Sequence, residues 1–101
     1  MEVIINTQDN VTTAQLKGRL DTPASQEISA DFDSLIQQAA GTVILDCAEL
    51  EYISSSGLRL FLSLRKAADS KGGKVIVKAI NKDIRTVFMM TGFLNLFEIQ
   101  D

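Results

Sequence analysis

The sequence predicts a single α/β domain built on a mostly parallel sheet of four to five strands. Three observations carry this. Short apolar runs rich in β-branched residues alternate with stretches whose apolar residues recur at helical spacing. Most changeovers carry Gly, Pro, Asn, Asp or Ser. The chain has 101 residues, 46 % hydrophobic and 23 % charged, which fits one domain with a modest core. Strand–helix–strand alternation then implies parallel neighbours joined by right-handed crossovers.

Val3 to Ile5 is a short apolar run suited to an edge strand. Gln8-Asp9-Asn10 is turn chemistry, and Val11 to Leu16 has β-branched strand content. Their closeness in sequence predicts an antiparallel hairpin. Gly18-Arg19-Leu20-Asp21-Thr22-Pro23 follows. Either Thr22 or Asp21 can cap a helix, and Pro23 suits its first position. Ile28, Phe32, Leu35, Ile36 and Ala39 define one helical face, ending at Gly41.

Thr42 to Cys47 is an apolar run that reads as a central strand buried on both faces. Asp46 is either a strand-end cap or a functional carboxylate. Cys47 reads as a small core residue, because nothing nearby in sequence would depress its pKa. A helix is predicted from about Ser56 to Ser70, with Leu60, Phe61, Leu64, Ala67 and Ala68 on its core face. Leu58 and Leu62 lie on an adjacent flank beside Arg65. Gly72-Gly73 stops this helix, and Lys74 to Lys78 forms the next strand. Asn81 caps a third helix carrying Ile84, Val87 and Phe88, which ends at Thr91-Gly92. Leu94 to Ile99 is read as a last edge strand.

Composition excludes several functions. Net charge is −3 and the ten basic residues are scattered, which argues against nucleic acid as a partner. One cysteine allows no internal disulfide and suits a reducing compartment. No apolar run reaches the ~20 residues of a membrane span. The N-terminus lacks a signal-type pattern, so a cytoplasmic location is expected. There is no histidine. That removes the commonest general base, a Ser-His-Asp triad and the usual Cys/His zinc sites.

The chemistry-bearing stretch is Ile53-Ser54-Ser55-Ser56-Gly57, at the change from strand to helix. It lacks the Gly-x-Ser-x-Gly pattern of a hydrolase elbow, and no Ser-x-x-Lys supplies a lysine base. Gly-x-x-x-x-Gly-Lys-Ser/Thr is absent too, so no phosphate-cradling P-loop is present. A helix cap accounts for one of the three serines. A helix N-terminus nevertheless tolerates a phosphate, whether bound or attached to a serine.

Val43-Ile44-Leu45-Asp46 followed by Leu50-Glu51-Tyr52-Ile53-Ser54-Ser55-Ser56-Gly57-Leu58 resembles the STAS domain of bacterial anti-sigma factor antagonists. Gly18-Arg19-Leu20-Asp21 is similar to that family's Gly-x-Leu-Asp turn, and Met90-Thr91-Gly92-Phe93 to its late Met-Ser/Thr-Gly-Leu turn. The ordered set covers nearly the whole chain. The resemblance implies helices gathered mainly on one face of the sheet and a binding protein without catalytic activity or cofactor. Its implied partners are an anti-sigma factor serine kinase, which brings the ATP, and a serine phosphatase. The implied phosphoacceptor is Ser56, with Ser55 as second choice. Asp21, Thr22, Ser54, Ser55, Gly57, Leu58 and Leu62 are the implied partner-facing residues. Leu58 and Leu62 either pack on a neighbouring helix or form an exposed docking edge. The family's Asp before the two serines is Ser54 here, which removes a carboxylate beside the acceptor.

Two other readings stay open. One is a non-switching STAS subunit of a lipid-transport or stressosome-type complex, which partner capture would separate from the sigma reading. The other is a small-ligand or nucleotide-binding domain, which calorimetry with GTP or ATP would test.

Overall fold

A computed structural model describes residues 1–101. Five strands lie in the order β1-β2-β3-β4-β5. β1 (Glu2–Gln8) pairs antiparallel with β2 (Val11–Leu20). β3 (Thr42–Ile53), β4 (Lys74–Lys78) and β5 (Glu98–Gln100) then add in parallel. Each parallel crossover steps to the next strand in the same direction. Right-handed crossovers of that kind deliver their helices to the same side of the sheet.

The burial pattern agrees. Ala14, Leu16, Val43, Leu45, Cys47, Val75 and Val77 point into one core with the helices. On the other side their neighbours are less covered: Gln15 is exposed, and Ile44 and Asp46 are only partly buried. β3 is therefore buried on one face only, not on both. A central strand reads as apolar throughout when helices cover both faces, and here they cover one.

Four helices fill the crossovers: α1 (Thr22–Glu27), α2 (Ser29–Gln37), α3 (Ser55–Lys71) and α4 (Lys82–Thr91). The single helix expected after Pro23 is two. The backbone at Ile28 sits at φ −97° and ψ 7°, outside helical geometry, while Ile28, Phe32 and Leu35 still share the buried face. Gly41 lies beyond the end of α2. A side chain there would meet the carbonyl of Asn10 at 2.5 Å, so this glycine serves close packing, not a helix cap.

After Gly92, whose φ of +80° ends α4 in the left-handed conformation, the chain makes one 3-10 turn (Phe93–Asn95) before β5. The expected strand at Leu94–Ile99 is thus shorter and later. Phe93 and Phe97 turn inward instead, joining Phe61 and Phe88 in an aromatic cluster with ring centroids 5.6–6.3 Å apart.

Candidate functional site

The serine turn sits where β3 hands over to α3. β3 runs further than its apolar stretch, because Lys17 to Leu20 continue to pair with Glu49 to Ile53 after two register shifts. This brings Leu20 opposite Ile53. The N–H of Ser54 then donates to the Leu20 carbonyl at 2.8 Å. The Asp21 turn and the serine turn are held side by side by backbone hydrogen bonding.

Ser54 is the N-cap of α3, in extended geometry with φ −89° and ψ 171°. Its Oγ accepts the Gly57 N–H at 3.2 Å, and its carbonyl accepts the Leu58 N–H at 2.9 Å. It is 9 % exposed. Ser54 is therefore occupied with capping and is nearly hidden. Ser55 and Ser56 form the first turn, Ser55 exposed and Ser56 half-buried. Their N–H groups precede the first intrahelical bond, and neither hydroxyl makes a hydrogen bond within the protein.

Gly57 is the close-approach residue. A Cβ there would lie 2.7 Å from Leu20 Cγ and 2.9 Å from Ile53 Cγ1. That absence of a side chain lets the first turn of α3 sink onto β2 and β3. It also rolls the helix, so that Gly57, Leu58, Phe61, Leu64 and Ala68 are the buried residues. Leu60 and Ala67, expected on the core face, lie half-buried on its flank. Leu58 is 8 % exposed and belongs to the core. It forms no docking edge. Leu62 is half-buried and packs against the core from its margin.

Asp21, not Thr22, caps α1. Its Oδ1 accepts the Ala24 N–H at 2.9 Å, and its carbonyl accepts both the N–H and the hydroxyl of Ser25. Thr22 is exposed at the first helical position. A third turn joins the same edge of the sheet. Asn81 caps α4 by accepting the Ile84 N–H at 2.8 Å, and its amide donates to the Leu50 carbonyl at 3.2 Å. Asp46 stands apart: it is mid-strand, eight residues from Ser54 and roughly 25 Å up the strand at ~3.3 Å per residue. Its Oδ1 accepts the Ala48 N–H at 3.1 Å.

Arg19 and Tyr52 were not singled out by the sequence. They are register partners on β2 and β3, and the Arg19 guanidinium lies 4.5 Å above the Tyr52 ring. With Ile53, Asp83, Ile84 and Val87 they line a cleft of about 180 Å³ beside the serine turn. The pairing of β2 and β3 beyond Cys47 is the signal that would have found them. Cys47 is fully buried. Burial first, and the Asp46 carboxylate second, push its thiol up to about 12.

No helix is long and apolar enough to cross a membrane. Residues 2–101 match the STAS domain family. Among similar chains, BtrV of Bordetella bronchiseptica, provisionally named an anti-sigma factor antagonist, is 27 % identical over 99 residues. That alignment covers 98 % of this chain and 85 % of BtrV. The anti-sigma F factor antagonist of Paenibacillus polymyxa is 28 % identical over 92 residues, covering 90 % and 79 % respectively. Among solved structures, the anti-sigma factor antagonist SpoIIAA in its unphosphorylated form superposes with a TM-score of 0.76 at 24 % identity, covering 99 % of this chain and 88 % of SpoIIAA. The TM1081 protein of Thermotoga maritima superposes at 0.89 and 19 % identity, covering 98 % and 86 %.

Proposed function

The chain belongs to the STAS domain family, and from that premise we propose that it is a cytoplasmic anti-sigma factor antagonist switched by phosphorylation at Ser56. In the unphosphorylated state it docks on an anti-sigma factor that is also a serine kinase, and so releases a sigma factor. The kinase supplies ATP and a serine phosphatase reverses the modification. The chain itself binds and does not catalyse.

One observation supports this reading above the others: Ser56 presents an unengaged hydroxyl in the first turn of α3, beside the Asp21–Thr22 turn. Ser54 has already satisfied the Gly57 N–H, so the helix cap survives modification of its neighbour. A phosphate at Ser56 adds about −1.5 to −2 charge to a chain already at −3. It would face the N-terminal end of α3, where negative charge is tolerated by the fold. On a docking surface the same group brings repulsion and a desolvation cost. The folded domain is left intact while the complex is disfavoured. The antagonist names of the similar chains support the partner class. SpoIIAA has been solved in a phosphorylated form of the same fold, with a TM-score of 0.75.

The test is incubation with the cognate anti-sigma kinase and labelled ATP. Label is expected on the parent and on Ser55→Ala, and is lost from Ser56→Ala. Ser56→Asp is expected to bind the kinase at least tenfold more weakly than the parent. Undiminished labelling of Ser56→Ala would move the acceptor to Ser55. Absence of any binding to anti-sigma factors would remove the antagonist role.

A further inference from the structure

The outer ridge of α3 carries Ser55, Arg59, Ser63 and Lys66, all exposed, with the half-buried Ser56 at its margin. Arg59 follows Ser56 by three positions and Ser55 by four, so it is the next residue along the ridge from both. At those spacings Cβ atoms on a helix lie about 5–6 Å apart. Helical side chains also lean toward the N-terminus, so a long side chain at Arg59 extends back over the turn that holds the serines.

Arg59 has no partner of its own. Lys17, Arg65, Lys74 and Arg85 are each paired with a carboxylate, and Arg19 rests on Tyr52. Arg59 forms neither an ion pair nor a hydrogen bond, although the chain holds thirteen acidic residues. It is a free guanidinium one turn from a free hydroxyl.

We propose that Arg59 is the positioning residue for the phosphorylated state, its guanidinium pairing with the phosphate on Ser56 and holding it along the α3 ridge. This rests on the reading of Ser56 as acceptor. A guanidinium fork matches two phosphate oxygens at once, which a lysine ammonium cannot do. An anionic residue placed N-terminal to the cation is also the better of the two helical orders. Lys66 is two turns further on and cannot substitute.

The test installs phosphoserine at position 56 chemically in the full chain and follows it by ³¹P NMR titration. Asp21, the acidic group on the adjoining turn, is common to all variants, so only differences between them are read. Arg59→Gln is expected to raise the second pKa of the phosphate by about 0.3 unit or more, the scale of an exposed helical ion pair. Lys66→Gln should move it by less than half as much. Arg59→Lys should fall between the parent and Arg59→Gln, and added salt should shrink all differences. Equal shifts in Arg59→Gln and Lys66→Gln, or none in either, would overturn the pairing. Because no kinase is used, that failure is distinct from failure of the Ser56 reading, which the labelling of Ser56→Ala decides.

Discussion

The N–H of Ser54 donates to the carbonyl of Leu20 across 2.8 Å, which fixes the ends of β2 and β3 to one another where both strands give way to helices. Gly57 closes the same junction from above, with Leu20 Cγ 2.7 Å from where its Cβ would stand. Two effects oppose each other in Gly57→Ala. Alanine gains roughly 0.5–1 kcal/mol over glycine inside a helix. Forcing a methyl into a filled junction costs about 1–3 kcal/mol. The atoms in the way belong to Leu20 and Ile53, both buried in the core and without room to step aside, so the clash wins. Gly57→Ala is expected to lower the urea midpoint, and a raised midpoint would show that α3 can lift off Leu20 without cost.

Leu58 and Leu62 separate core from margin on one helix. Leu58 is 8 % exposed and belongs to the core, so Leu58→Ala is expected to cost about 2–4 kcal/mol. Leu62 is half-buried and touches the core at its edge, so Leu62→Ala should cost less than half of that. Urea unfolding of the two variants at one temperature makes the comparison. Equal losses would mean that α3 does not roll toward Leu58.

The difference between these leucines also marks what the sequence could and could not reveal. That one of the three serines caps a helix follows from local chemistry, and the structure gives that part to Ser54. The strand order follows from alternation and crossover handedness. The rotation of α3 does not, because it is set by the contact of Gly57 with Leu20, a residue 37 positions earlier in the chain. The same holds for β3. Glu49 and Glu51 look like the end of a strand, yet pairing with Lys17 to Leu20 carries it on to Ile53. The break at Ile28 was hidden for the opposite reason: the apolar period runs through it undisturbed.

Cys47 gives the fold a pH dependence at its alkaline end. Its thiol is pushed up from 9.0 to about 12, by burial and then by the charge of Asp46. The neutral, protonated thiol is the form the core accepts. In the unfolded chain the proton leaves near pH 9, while in the folded chain it is retained. The folded state therefore binds more protons above that point. The stability this contributes is complete below about pH 9 and is lost as the pH climbs toward 12. Within the window one retained proton changes the folded-to-unfolded ratio about tenfold per pH unit. Comparison of the parent with Cys47→Ala isolates the effect. That variant lacks the thiol and is expected to show a flatter fall of the urea midpoint between pH 9 and pH 11. Reaction of the native chain with a thiol reagent at pH 8 should be slow and become fast in urea, since the reactive thiolate is withheld by burial. Parallel slopes for parent and Cys47→Ala would show that the interior around Asp46 and Cys47 admits water and that the thiol ionises as freely folded as unfolded.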